Sequence, residues 1–424
     1  MSRPSRREAT PSWGKRLDGI EGLRALAALS VVTGHTVILL RADGAATVLD
    51  AFAGLFLHGL TLFFVLSGFL LYRPWVAAAT QSRPRPKTND FWRNRLLRIW
   101  PAYVVILVVS AWVMGTVVTD TGAGGAIGGE SSQIGRMTDP IDFVLNLVLL
   151  QGYFPDTVMG GLSVSWSLVA EVGFYLLLPA LGGIAVVLTR RLRPIHAAVA
   201  PALLMVAVGL STRIGILSMV GERDGVHELL LPGWATVCYR SVIGQADLFG
   251  LGMLAAAVLS IRNDRSRSVR AVALSAGAVA AVLTLVIPDR EMTTPAVGVG
   301  CAVLIVLLRL PSPGPVSSMT VRVLETWPIR AVGLSSYSVY LWHFGVIWLL
   351  RLHMDAVRFT DDVGLAVALV ATLIPTLMLA SVTYRWVELP AMQRKRRTDD
   401  PSTTIAPRTT GGSHEGNPDG RLTR

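Results

Sequence analysis

The sequence runs to 424 residues, 52% of them hydrophobic and only 16% charged, with a mean hydropathy of +0.52. A water-soluble fold of this length does not carry so apolar an average, and strand-like alternation is absent, so the composition points to an all-α polytopic membrane bundle and away from a β-barrel. The net charge of +11 does not indicate nucleic acid, because the Lys and Arg residues fall in short clusters between apolar runs, as the positive-inside rule produces.

The first 16 residues form a basic leader with no small-residue cleavage signature, expected to stay attached on the cytoplasmic side. Apolar runs long enough to cross about 30 Å of hydrocarbon then recur. They predict about ten spans, near 23–40, 48–72, 100–119, 164–188, 196–218, 240–260, 269–287, 293–309, 330–351 and 363–386. A further apolar piece, 141–154, is too short to span comfortably and is expected in the interface or as a dip. Skipping it as a span puts the basic clusters 73–98, 190–193, 262–270, Arg322 and 394–397 on one side, so both termini are expected to be cytoplasmic. The acids Asp120, Glu130, Glu222, Asp361 and Asp362 then fall outside. The Gly- and Ser-rich stretch 121–132 reads as an outer lid or a plain linker. Residues 394–424 read as a disordered cytoplasmic tail, leaving 17–393 as one transmembrane domain. Cys238 and Cys301 imply neither a disulfide framework nor a metal site, and no metal is expected.

Ionisable groups inside spans are costly, and they are either functional or bundle-interior ion pairs. Arg24 and His35 share a face of the first span, eleven residues and roughly 16 Å apart. Glu171 in the fourth span, Asp247 in the sixth and His343 in the ninth are expected at a depth similar to that of His35. An imidazole suits proton transfer near neutrality, and a carboxylate at its level can orient it. At the mouth of the third span, Arg93, Arg95 and Arg98 suit either phosphate contact or snorkelling to lipid headgroups. Opposite them, Gly68 permits close approach of a helix or a thin ligand chain.

These segments resemble, in order, the motifs of acyltransferase family 3, the bacterial membrane O-acyltransferases of sugars, cell-wall polymers, lipids and macrolides. The pieces are LDGIEGLRALAALSVVTGH at 17–35, FFVLSGFLL at 63–71, RNRLLRIWPAY at 93–103, SWSLVAEVGFYLLLP at 165–179, YSVYLWHF at 337–344 and YRWVELP at 384–390. The resemblance implies an acyl-CoA co-substrate, commonly acetyl-CoA, arriving from the cytoplasm at the inner membrane. It also implies a carbohydrate, lipid-linked sugar or secondary-metabolite acceptor presented nearer the outer face. By motif position it implies His35 as the catalytic histidine, Arg24 as its partner, Glu171 as the acid of the tryptophan-serine-leucine motif, and Arg95 and Arg98 on the CoA phosphates. Ser67 and Gly68 would line the CoA path, and Asp247, His343, Trp166 and Tyr337 would face the acceptor. Two departures stand out: the usual second Glu after Glu171 is Val172, and no esterase-type domain follows the membrane region in this sequence.

His35 is expected to act as general base or to carry the acyl group itself, and Arg24 to steady the thioester oxygen or a phosphate. The rival reading is a transporter or flippase of a polar glycoconjugate, since intramembrane charges also build substrate paths. A receptor or scaffold without chemistry ranks last.

Overall fold

The computed structural model describes residues 17–41, 48–120, 133–220, 233–261, 266–287, 290–310, 314–353 and 359–398. The leader, most of the tail and the 121–132 stretch therefore lie outside the described residues, except that the last helix carries the chain through Thr398, past the expected start of the tail at Arg394.

With no water in the hydrocarbon core, each apolar run must satisfy its backbone internally, and the runs accordingly form helices. In chain order they are α1 (Ile20–Leu40), α2 (Val48–Leu57), α3 (Gly59–Thr80), α4 (Thr88–Val108), α5 (Pro140–Leu147), α6 (Trp166–Leu188), α7 (Pro194–Val220) and α8 (Trp234–Arg240). There follow α9 (Ala246–Val258), α10 (Ser266–Val286), α11 (Arg290–Arg309), α12 (Pro315–Leu324), α13 (Trp327–Leu334), α14 (Ser336–His353), α15 (Asp362–Thr383) and α16 (Leu389–Thr398). The only strands among the described residues are β1 (Val117–Asp120) and β2 (Gln133–Gly135), a short antiparallel pair.

Each of the ten predicted spans is helical over most of its length, though the third runs on into β1 and the sixth begins in the turn before α9; among the described residues, seven helical stretches are long and apolar enough to cross a membrane: Ile20–Leu40, Phe52–Thr80, Thr88–Met114, Ser163–Leu188, Pro194–Met219, Arg267–Val286 and Asp362–Arg394. The sixth and eighth predicted spans are shorter apolar helices, Ala246–Val258 and Thr293–Arg309. The ninth divides into α13 and α14, and α14 carries Ser336, Tyr337, Ser338, Tyr340, Trp342 and His343, all buried. Its polarity faces the protein interior, so a hydropathy window understates how deep in the bundle it lies. The third span begins about a turn before the Arg cluster rather than after it, and α4 passes into a π-helical turn, Val109–Met114, ended by Gly115 in the left-handed region. The 141–154 piece forms the eight-residue α5, capped by the Asp139 carboxylate, and then a 3-10 turn, with Ile141, Val144, Val148 and Leu150 exposed. This apolar face without spanning length is that of an interfacial segment.

One core cluster joins residues of α1, α3, α4, α6, α9 and α14, including Leu23, Phe64, Phe69, Tyr103, Phe174, Phe249 and Leu341. The outward faces carry aliphatic side chains such as Val272, Leu285, Val367 and Met378. A belt of that kind is what a bundle presents to lipid, and the chain is a multi-pass membrane protein.

Gly68 and Gly252 determine how α3 meets α9. A Cβ on Gly68 would overlap the Phe249 carbonyl oxygen, and one on Gly252 would overlap the Val65 carbonyl oxygen. The two backbones touch, as small residues at membrane-helix interfaces allow.

Candidate functional site

A cavity of about 780 Å³, its mouth included, opens between α1, α3, α4, α6 and α14. Its chemistry is divided. Arg24 and Arg95 each interact electrostatically with Arg98 and Glu171 in its wall, while Leu60, Phe63, Phe64, Leu66 and Leu71 supply apolar wall, and Tyr340 and Ser167 also line it.

The charged groups are tied to neighbouring helices to different degrees. Arg24 Nε donates to Ser336 Oγ at 3.1 Å, which ties α1 to the first turn of α14. Ser67 Oγ donates to Glu171 Oε1 at 2.8 Å, tying α3 to α6, and Tyr175, one turn after Glu171, interacts with both Glu171 and Arg95. The Arg95 guanidinium lies 5.9 Å from the Phe91 ring centroid, and its Nε is buried without a hydrogen-bond partner. Arg98 Nη1 approaches the Met392 sulfur of α16 at 3.8 Å. Three Arg outnumber the one Glu in the cavity wall and leave it electropositive, a setting suited to a polyanion with an apolar extension.

Sequence reasoning assigned no role to Glu388, which is 2% exposed and accepts a hydrogen bond from Ser338 Oγ. It closes a π-helical turn, Tyr384–Glu388, and interacts electrostatically with Arg24 and Arg98. The available signal was an acid at the end of an otherwise apolar helix, inside the last of the ordered motifs.

The histidines lie beyond the cavity. His35 Nδ1 is 3.0 Å from His343 Nε2, the rings stack with centroids 5.2 Å apart, and Phe344 meets His35 edge-on. His343 Nδ1 contacts the Tyr340 carbonyl oxygen at 2.6 Å, and His343 is fully buried. His35 is half-buried and is not in the cavity wall. The Tyr340 ring stands between: it packs against Phe63 at 5.9 Å on the cavity side and against His343 at 5.7 Å on the other. Its hydroxyl engages Ser167 Oγ at 2.8 Å and the Val164 carbonyl at 2.9 Å.

The structure thus divides the expected four-group layer. His35 and His343 meet, whereas Glu171 belongs with Ser67, Tyr175 and the arginines. Asp247 is fully buried against Arg213, Oδ2 to Nη2 at 3.3 Å, with Arg213 also donating to the Tyr239 hydroxyl at 2.8 Å. This ion pair lies outside the cavity wall. Trp166 is also outside it, 7% exposed with the Arg240 guanidinium 4.7 Å over its ring. Tyr337 does line the cavity, and its hydroxyl donates to the Ile99 carbonyl at 2.9 Å. Ser67 lines the cavity too, but Gly68 turns towards α9, so the close approach it permits is to a helix. Among the described residues, no group of three or more His, Cys, Asp or Glu could hold a metal.

A family model described as an acyltransferase domain matches residues 17–385. This chain belongs to acyltransferase family 3. It is similar to the acyltransferase MdmB of Streptomyces mycarofaciens, 29% identical over 168 residues, or 39% of this chain and 38% of that one. It is similar to the O-acetyltransferase OatA of Staphylococcus aureus, 25% identical over 395 residues, covering 89% of this chain and 57% of the relative. A putative peptidoglycan O-acetyltransferase, YrhL of Bacillus subtilis, is 25% identical over 383 residues, 88% of this chain and 54% of that one. The chain spans little more than half the length of these last two relatives. No solved structure matches. The electropositive cavity lies among the segments that the family model matches.

Proposed function

We propose that this protein transfers an acyl group, acetyl foremost, from cytoplasmic acyl-CoA to a hydroxyl of a glycoside, glycolipid, polysaccharide or macrolide-type acceptor, working in the cell membrane with both termini inside. The observation that carries the donor assignment is the clustering of Arg24, Arg95 and Arg98 in the wall of a cavity whose remaining lining is largely apolar. Guanidinium groups bind phosphate oxygens with charge-assisted, directional bonds, and a pantetheine arm suits the apolar passage beyond. Glu171, held by Ser67, and Tyr175 act as the counter-groups that keep the arginines in place when no donor is bound.

His35 is the general base in this reading. Its imidazole takes the proton of the acceptor hydroxyl as that oxygen bonds to the thioester carbonyl carbon. The C–S bond then breaks, and the imidazolium returns the proton to the departing CoA thiolate. Movement of the Tyr340 and Phe63 rings brings the thioester from the cavity to His35.

The relatives' names describe O-acetyltransferases, one of them of peptidoglycan, which favours a carbohydrate hydroxyl as acceptor here. Equilibrium binding of CoA to the purified full chain tests the donor assignment. Binding is expected in wild type and lost in Arg95→Ala/Arg98→Ala, and undiminished binding in that variant refutes it. His35→Ala is expected to abolish acyl transfer while leaving CoA binding and folding intact; retained turnover removes the proposed base.

A further inference from the structure

The imidazole of His35 is accompanied by a second imidazole, where the sequence suggested a carboxylate. We propose that His343 is a positioning residue that fixes His35 in the tautomer whose Nε2 accepts a proton, an inference that rests on the reading of His35 as base.

The assignment follows from the hydrogen-bond chain. The Tyr340 carbonyl oxygen can only accept, so His343 Nδ1, 2.6 Å away, carries hydrogen. A His343 protonated on both nitrogens would be an ion with no exposed surface, facing a carbonyl with no carboxylate partner, and desolvation weighs heavily against it. The uncharged ring therefore keeps its lone pair on Nε2. His35 Nδ1 lies 3.0 Å from that atom, and two lone pairs do not share such a contact, so His35 Nδ1 carries hydrogen and donates. An uncharged His35 then has its basic lone pair on Nε2. Stacking at 5.2 Å with 19° between the ring planes and the edge of Phe344 at 5.3 Å restrict rotation of the His35 ring about its own bonds.

The three acids expected or found near this layer are each engaged elsewhere. Glu171 Oε1 accepts from Ser67, Glu388 accepts from Ser338, and Asp247 is paired with Arg213. His343 is also built into the scaffold, because its acceptor is a main-chain carbonyl on the same turn of α14. The tautomer of His35 is thereby set by backbone geometry.

The test is nitrogen NMR on the full chain in detergent micelles with labelled histidine, His35 being identified by the signal that His35→Asn removes. In wild type, Nδ1 of His35 is expected to be the protonated nitrogen. His343→Phe should shift the population to the Nε2-protonated form, while His343→Gln, whose amide oxygen accepts at a similar place, should preserve the wild-type form. With acetyl-CoA as donor and octyl glucoside as a probe hydroxyl, His343→Phe should lower kcat by about 100-fold or more, in the range general-base catalysis supplies. KM for acetyl-CoA should stay within about twofold, and His343→Gln should recover kcat to within about tenfold of wild type. An Nε2-protonated His35 in wild type, an unchanged tautomer in His343→Phe, or an equal loss in the Phe and Gln variants overturns the inference. If wild type consumes no acetyl-CoA, or His35→Asn consumes it normally, the proposed function fails, and the tautomer measurement still decides the role of His343 at His35.

Discussion

Asp247 was expected to face the acceptor, and its pairing with Arg213 predicts instead that its removal is felt as lost stability. Both side chains are fully buried, 3.3 Å apart, so deleting the carboxylate takes a counter-charge away from a guanidinium held in a dry site. Breaking such a pair costs about 3–5 kcal/mol. The Tyr239 hydroxyl at 2.8 Å still accepts from Arg213 Nη1, and the Gly244 carbonyl stands 3.5 Å from Nη2. Those contacts place Asp247→Ala near the low end of that range. Asp247→Asn keeps an acceptor oxygen and loses only the charge, for which about 1.5–3 kcal/mol is expected, the worth of a hydrogen bond to an ion. Replacing both partners with apolar residues, Arg213→Met/Asp247→Leu, removes the uncompensated ion and should come back to within about 1 kcal/mol of wild type or exceed it. The assay is unfolding of the purified chain in mixed micelles of rising denaturing-detergent fraction, followed by circular dichroism, together with acyl-transfer kinetics below the transition. Strong coupling in the double-mutant cycle with unchanged KM for the acceptor supports the structural pair. Unchanged stability with a raised acceptor KM in Asp247→Asn refutes the reasoning and returns Asp247 to the acceptor site.

Other perturbations read other parts of the molecule. Tyr340→Ala removes the ring that separates the cavity from the histidines, so the ratio of kcat/KM for octanoyl-CoA to that for acetyl-CoA should rise by about tenfold, one pocket change being worth about 1–3 kcal/mol in discrimination; an unchanged ratio shows that the donor does not pass this ring. KM for acyl-CoA should increase with ionic strength, because the cavity's arginines attract a polyanion through a screened field, and Arg95→Ala/Arg98→Ala should flatten the dependence; equal slopes in both proteins exclude the electrostatic account. Gly68→Val should destabilise by at least about 1–3 kcal/mol through overpacking against the Phe249 carbonyl, whereas Gly54→Ala, with nothing within 4 Å of the added carbon, should leave detergent stability unchanged.

The helical class and the position of nearly every long helix were readable from hydropathy, because an apolar run in lipid has few ways to satisfy its backbone. The ninth span was harder to place: Tyr337, Ser338, Tyr340 and His343 make α14 polar where it faces the interior, and a composition window cannot distinguish an interior polar stripe from a poor span. Period alone put Arg24 and His35 on one face, and both do contact α14, at Ser336 and His343. Which acid would partner which base was not legible. Depth counted along separate helices fixes height in the bundle but not rotation about each axis, so Glu171, Asp247 and His343 shared an expected layer although only His343 reaches His35. Glu388 escaped for a related reason: the π-helical turn before it rotates the carboxylate inward, and wider turns of this kind carry no reliable sequence signature while recurring at functional sites.

The glycine contacts between α3 and α9 bear on how the cavity opens. Phe63, Phe64, Leu66 and Ser67, all on α3, form one wall of the chamber, and the opposite side of that helix is locked backbone to backbone against α9 through Gly68 and Gly252. Two main chains in direct contact leave no slack for sliding without breaking that seat, so this wall behaves as an anvil. In the proposed reaction, exchange of the donor then falls to the facing side, where Arg98 of α4 approaches the Met392 sulfur of α16 at 3.8 Å.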